Sequence, residues 1–381
     1  MKKQKMKKKL NIGLNLLYMN RKLSGGSITY GINLVNELAL LDNYNNYIIY
    51  LNKDCENLPI KIGENFKKKI LPFHNNYVYV RYFWEQLLFP FYLLNQNLDV
   101  LHSLGYVGPV FCPAKHIVSI LDLNYKRHTE SMSAFKRVLL GTMVKLMSIF
   151  SKSIITISNF SKEEIANELH VEKNKIIVTL LSGSSDVSYV DNSLELDLEG
   201  IYEIENEYII SFGSPSSHKN ILGLISAFSI FNAKYSQYNL ILVGHQHNNS
   251  ELQEKIINLK LEDKVKFTGF VPDEHIFPLL KNAKLFVFPS FYEGFGIPLL
   301  DAQSAGVAVV SSNAASLPEV GGDSALYFDP NNVKEMASKF EMVLNDNDLS
   351  NRLIEKGFAN RAKFSWHNTA KQTLQVYKDN V

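Results

Sequence analysis

The sequence predicts an α/β protein of two doubly wound, Rossmann-like domains, and three observations point there. Short β-branched runs alternate with amphipathic segments along most of the chain, the pattern of βαβ units and parallel sheets. The 381 residues suit two such domains. The alternation lapses once, over 182–206 (SGSSDVSYVDNSLELDLEGIYEIEN), a polar and acidic stretch that reads as the connection between them.

In the first half the expected strands are 10–17, 46–51, 98–102, 116–121, 153–157 and 175–181. Between the first two, Ile28, Ile32, Val35 and Leu38 fall at helical spacing. SNFSKEEIANEL, from Ser158, offers Ser and Asn caps and acids in a first turn. In the second half the strands are 207–213, 239–244, 264–269, 284–289 and 307–311, with helices over 219–234, 250–259, 273–282 and 297–305 and two further helical stretches at the end. The domains expected are 1–185 and 186–365, with a final helix, 366–381, returning toward the first.

Composition excludes several classes. Hydrophobic residues at 46% and charged residues at 20% are those of a folded globular chain. Two cysteines, Cys55 and Cys112, make neither a disulfide framework nor a metal site, and a reducing cytoplasm suits so few thiols. Residues 1–9 hold six of the 40 basic residues, which leaves 34 against 38 acidic in the remainder. A body with that balance is no nucleic-acid-binding surface. The lysines read either as a solvated start or as an electrostatic tether, Lys2–Lys9, to an anionic membrane surface. LNIGLNLLYMNRKLSGG lacks the apolar core of a signal peptide. The apolar stretches 83–94 and 138–150 are too short to span a bilayer, and each contains a charge, Glu85 or Lys145. A cytoplasmic location, peripheral at the inner face of the membrane, is expected.

Four loops at the carboxyl ends of expected strands, where open α/β sheets bind ligands, hold the candidate chemistry. In SGGSITYGINL, Gly25 and Gly26 allow close backbone approach ahead of a helix N-terminus that suits an anion, although two glycines also make an ordinary turn. In SFGSPSSHKNILGLISAF a strand ends at Gly213, and His218 and Lys219 fall at a helix start. Cations oppose the macrodipole there unless an anion such as a pyrophosphate bridges them. FPSFYEGFGIPLLDAQSAGVAVVSS is the strongest signal. Glu293 lies on a loop with Gly294 and Gly296, Pro298 suits a first helical turn, and Asp301 follows eight residues after Glu293. Two carboxylates there suit the hydroxyls of a sugar, and N–H groups of Gly294, Phe295, Gly296 and Ile297 suit phosphate oxygens. In VSILDLNYKRH, Asp122 follows an apolar strand and is also a common turn residue. His102 reads equally as a structural or a functional histidine.

The block EGFGIPLLDAQSAGVAVVSSNAASLPEVGGDSALYFDP resembles the retaining glycosyltransferases of family four, as do SFGSPSSHKN, FTGFVPDEHI, TISNFSKEEI and SGGSITYG. The resemblance implies the GT-B fold, in which two Rossmann-like domains face a central cleft. It implies that Glu293 meets the donor sugar, that Gly294, Phe295 and Gly296 present N–H groups, and that Asp301 holds the nucleotide ribose. It places His218 and Lys219 on the pyrophosphate, Phe270 and Val271 beside the base, and Gly25 and Gly26 on the lining from the first domain. Catalytic roles go to Glu293, Lys219 and Asp122, and donor binding to these and to Gly213 and Ile297. Asp301 stands where the family usually has Glu, His218 where it has Arg, Leu121 where it often has His, and Ala308 where proline is common. The implied reaction is retaining, metal-independent hexosyl transfer from a nucleotide sugar, GDP-mannose or another, to a glycan or lipid-linked glycan in cell-surface polysaccharide synthesis. No cofactor is expected and no metal, since no His/Cys cluster or acidic pair has ligand spacing. The alternatives are a nucleotide-sugar phosphorylase or epimerase of the same fold, or an inactive sugar-nucleotide-binding subunit.

Overall fold

The computed structural model describes residues 8–20, 25–75, 77–127, 133–184, 196–213, 216–244 and 250–381. Most of the lysine run, Ser24, Ser214, Pro215 and His128 therefore lie outside the described residues, as does much of 182–206. The chain divides into two compact units. One takes residues up to Leu181 together with Ser365–Val381, and the other takes Ser182–Phe364.

The first unit is built on a seven-stranded sheet in the order β3-β2-β1-β4-β5-β6-β7. Its strands are β1 Asn11–Asn15, β2 Asn46–Asn52, β3 Phe66–Leu71, β4 Val100–Ser103, β5 Lys115–Ser119, β6 Ser153–Thr156 and β7 Ile176–Val178. Every pairing is parallel. Strands sheathed by helices on both faces are buried throughout, so β4 and β6 bury all their residues. The helix Gly26–Leu41 buries Tyr30, Leu34, Val35 and Leu38 on one stripe. The helix Asn159–Leu169 starts after Ser158 as expected, with the Ser158 hydroxyl accepting from the Ser161 N–H, but the acids expected in its first turn, Glu163 and Glu164, fall just beyond it. The stretch over 83–94 is helical, with a π turn at Trp84–Leu88. It buries Phe89 and Leu93 but leaves Phe83, Leu87 and Phe91 exposed.

A buried polar chain runs through this unit. His102 shows no exposed surface, and its Nδ1 lies 2.7 Å from the Tyr377 hydroxyl of the last helix, Trp366–Asp379. Its Nε2 lies 2.8 Å from the Ser119 Oγ, which also meets the Tyr30 hydroxyl at 2.8 Å. Burial pushes the imidazole down to about 3, so it is neutral at ordinary pH. With both ring nitrogens engaged inside the core, His102 is a structural residue.

The second unit carries a six-stranded parallel sheet, β10-β9-β8-β11-β12-β13. Its strands are β8 Tyr208–Phe212, β9 Asn239–Val243, β10 Val265–Phe267, β11 Leu285–Phe288, β12 Val309–Ser312 and β13 Leu326–Phe328. One core joins Ile209, Leu240 and Val287 of the strands to Phe228 and Phe231 of the helix Ile221–Asn232 and Phe340 of the helix Val333–Asn345. Two edge strands, β3 and β13, were not expected from the sequence. The expected connection 182–206 contains a short helix, Leu198–Tyr202, which Asp197 caps by accepting from the Gly200 N–H.

Candidate active site

Within the second unit, β8 and β11 are neighbours at the middle of the sheet, and the loops leaving their carboxyl ends meet. Gly213 closes β8. Its N–H donates to the Val243 carbonyl at 2.8 Å, and a Cβ there would lie 3.2 Å from the Leu242 Cβ, so a glycine lets the chain lie tight against β9. His218 and Lys219 belong to a 3₁₀ turn, Ser217–Lys219. The helix begins at Ile221 rather than at 219, because Asn220 takes a left-handed conformation, φ 54°, and breaks the turn from the helix.

Lys219 reaches from this turn to the other loop. Its Nζ donates to Glu293 Oε1 at 2.6 Å and sits 5.6 Å from the centre of the Phe288 ring. Both partners are partly exposed, Lys219 at 23% and Glu293 at 14% of their side chains. The Phe291 N–H donates to the His218 carbonyl at 2.8 Å, a second tie between the loops. Two of the residues given catalytic roles by the resemblance are thus in contact, from positions 74 apart in sequence.

The loop after β11 is held from behind by buried side chains. The Asn220 Nδ2 donates to the Pro289 carbonyl at 3.1 Å, and the Ser312 hydroxyl to the Ser290 carbonyl at 2.6 Å. The Ser316 hydroxyl meets the Glu293 and Phe295 carbonyls at 2.9 and 2.8 Å. Phe295 is buried and packs edge-on against Phe364, with ring centres 5.8 Å apart. Gly296 has φ 115°, and a Cβ there would come within 2.8 Å of Leu317, so both backbone and space demand glycine. It precedes the helix Ile297–Ser304, whose first turn holds Pro298 and the buried Ile297. The loop N–H groups and that helix N-terminus are an environment suited to an anion.

Asp301 lies in the second turn of the same helix. Its Oδ1 accepts from the Ser184 N–H at 2.6 Å and its Oδ2 from the Ser184 hydroxyl at 2.7 Å. Burial pushes its carboxyl up to about 6, against the opposing pull of the Ser184 hydrogen bonds and the Arg361 charge. Ser184 carries no sequence signal of its own, and neither do Ser290, Ser312 and Ser316, which order the loop around Glu293. Between β10 and the helix Asp273–Lys281, Phe270 is 76% exposed while Val271 is buried. An exposed phenyl ring offers a flat face to an aromatic ligand.

The remaining candidates belong to the first unit. Gly25 has φ 142° and precedes the helix Gly26–Leu41, and among the described residues nothing beyond the adjoining chain lies within 4 Å of where a Cβ would stand on it or on Gly26. Asp122 accepts from the Tyr106 hydroxyl at 2.9 Å and from the Asn124 N–H at 3.1 Å, the bonds of a turn that starts the helix Asn124–Arg127. Among the described residues no three His, Cys, Asp or Glu side chains converge as a metal site, and no helix is long and apolar enough to cross a membrane.

A carboxylate followed by glycine is thus paired with a lysine at the ends of two central parallel strands. Residues 201–359, which lie within the second unit, match the model of the family described as glycosyl transferases group 1. The chain is 35% identical over 233 residues to O-antigen chain mannosyltransferase B of Escherichia coli. That match takes in 60% of this chain and 61% of the relative, less than two thirds of its length. Among solved structures, sucrose-phosphate synthase from Thermosynechococcus elongatus superposes with a TM-score of 0.75 at 16% identity, over 97% of this chain and 99% of that one. Anabaena Alr3699/HepE in complex with UDP-glucose gives 0.72 at 17%, over 97% and 100%. At such identities the likeness carries the fold, and the fold is of the GT-B class.

Proposed function

We propose that this protein is a retaining, metal-independent glycosyltransferase that moves a hexose from a nucleotide sugar, GDP-mannose or another nucleotide hexose, to a glycan or lipid-linked glycan in cell-surface polysaccharide synthesis. The observation that carries the reading is the contact of Lys219 with Glu293 at the ends of β8 and β11, beside a glycine loop and a helix N-terminus. Its similarity to an O-antigen mannosyltransferase supports the choice of reaction and of donor class.

Departure of a nucleoside diphosphate from an anomeric carbon needs two things. Negative charge growing on the phosphate must be met by fixed donors, and positive character on the sugar ring by a nearby carboxylate. Lys219 and the N–H groups at 294–297 supply the first, and a cation already in place does the work a divalent ion would otherwise do. Glu293 accepts hydrogen bonds from sugar hydroxyls. Phe270 covers the base, and Asp301 takes the ribose once its Ser184 partners give way or share it. The lysines of residues 2–9 hold the protein at the inner, anionic face of the cytoplasmic membrane, where a lipid-linked acceptor lies, and loss of sedimentation with anionic liposomes on deleting 1–9 checks that part.

The test is hydrolysis and transfer over a panel of UDP-, GDP- and dTDP-hexoses, with and without EDTA. Slow hydrolysis with a retained anomeric product, unchanged by EDTA, is expected. Inverted product, or activity lost in EDTA and restored by Mg²⁺, overturns the mechanism, and binding without turnover marks an inactive subunit.

A further inference from the structure

Glu293 has two carboxylate oxygens, and among the described residues both of its side-chain hydrogen bonds fall on one of them. The Lys219 Nζ lies 2.6 Å from Oε1, and the Ser290 Oγ lies 2.7 Å from that same atom. Two donors on one oxygen fix the plane of the carboxylate and leave the lone pairs of Oε2 for another partner. With the side chain 14% exposed, Oε2 is not sealed into the core.

Ser290 is itself completely buried, and its carbonyl accepts the Ser312 hydroxyl at 2.6 Å. Its backbone is therefore fixed, and its hydroxyl points at Glu293 along a chain that ends in β12. The Glu293 carbonyl is fixed in turn by Ser316 at 2.9 Å. Ser316 stands immediately before the helix Leu317–Gly321, where a serine hydroxyl normally caps, yet it makes no cap bond and turns to the loop instead. Main chain and carboxylate of Glu293 are thus each held by a different buried hydroxyl.

We propose that Ser290 is a positioning residue: with Lys219 it saturates Glu293 Oε1, so that Oε2 alone is presented to a hydroxyl of the transferred hexose. The inference rests on the reading of Glu293 as the sugar-facing carboxylate. A long glutamate otherwise samples several rotamers, and a carboxylate that must be ordered at each turnover loses part of its transition-state interaction. Ser290 is fully buried and its hydroxyl ends on Glu293, so its effect belongs to the sugar and not to the diphosphate.

The experiment compares Ser290→Ala, Glu293→Gln and the double variant, using the nucleotide hexose that wild type turns over and the matching nucleoside diphosphate alone. Ser290→Ala should lower turnover about tenfold or more, the worth of a hydrogen bond to a charged group, while diphosphate affinity stays within about twofold. In the Glu293→Gln background the same substitution should change turnover little, because the residue acts through Glu293. Equal losses of turnover and diphosphate affinity, or a full additive loss in the double variant, would overturn the positioning role. If Ser290→Ala is insoluble, Ser290→Cys, close in volume but a poor donor, should show the same split, and a wild-type rate in it counts against the proposal. Failure of the functional reading looks different: Glu293→Gln would then retain wild-type turnover. Loss in Glu293→Gln with full activity in Ser290→Ala sinks the positioning role alone.

Discussion

The two units use the same architecture and treat their polar side chains in opposite ways. In the first, His102 and His116 are enclosed, at 0% and 4% exposure, and their hydrogen bonds end on Ser119, Tyr377 and Ser103. In the second, buried polar groups at the ends of β8 and β11 are hydroxyls and an amide, and the charges they support, Lys219 and Glu293, reach the surface. Burying an imidazole ties folding to its neutral form, whereas burying a serine has no such consequence. A sheet end can thus hold charge at the surface when uncharged donors stand behind it. In these two clusters the first unit stores titratable groups and the second displays them.

The largest effect expected from this contrast is acid sensitivity of the first unit. Burial pushes His102 down to about 3 and His116 to about 4. Their folded values lie below the unfolded value of about 6.5, so the stability they confer is present above 6.5 and is lost as pH falls toward 3–4. At pH 5 each protonates in the unfolded chain but not in the folded one, which removes about 2 kcal/mol per histidine, about 4 kcal/mol together, relative to pH 7. Both tryptophans, Trp84 and Trp366, belong to the first unit. Denaturant unfolding followed by tryptophan fluorescence at pH 7 and pH 5 therefore reads that unit. A pH-independent midpoint would show that the histidines are not sealed as described.

A second effect separates display from storage inside the second unit. Glu293→Ala should leave the thermal transition nearly in place, since the side chain is on a loop and its removal opens no core cavity. Turnover should fall about 30- to 1000-fold, the consequence of losing about 2–4 kcal/mol of transition-state interaction. Soluble variant protein with wild-type turnover would place the chemistry elsewhere and erase the contrast between the units.

Much of this was legible in the sequence because parallel strands buried on both faces are continuous apolar runs, and the loops after β8 and β11 combine glycine with charge. What escaped did so for physical reasons. β3, FKKKIL, is an edge strand, where alternate lysines point to solvent and guard an open edge, so its composition hides its role. β13 is three residues long. The start of the helix at Ile221 depends on one left-handed residue, Asn220, which a smooth periodic pattern cannot reveal. The partners of Glu293 and Asp301 are serines, common residues that became specific only through contacts closed by the fold, Ser184 meeting Asp301 from 117 positions away.

The smallest effect is an exception to the contrast, since burial acts on the Asp301 carboxyl in the displaying unit. Burial raises its carboxyl from 3.8 to about 6. Because the folded value lies above the unfolded one, its stability contribution is complete below about 3.8 and is lost as pH rises through about 6. This runs opposite to the histidines. Asp301→Asn keeps the acceptor for the Ser184 N–H, and its amide can donate to the Ser184 hydroxyl, so shape and hydrogen bonds survive while the charge goes. At pH 7.5 the variant should be the more stable protein, by about 1–3 kcal/mol, and the advantage should shrink steadily as pH falls to about 4.5. Calorimetric scans of both proteins across that range measure it, in the transition that leaves tryptophan fluorescence unchanged. Parallel pH profiles for wild type and variant would mean that Asp301 ionises freely. The Ser184 contact would then be a surface one, and Asp301 would belong with the displayed charges.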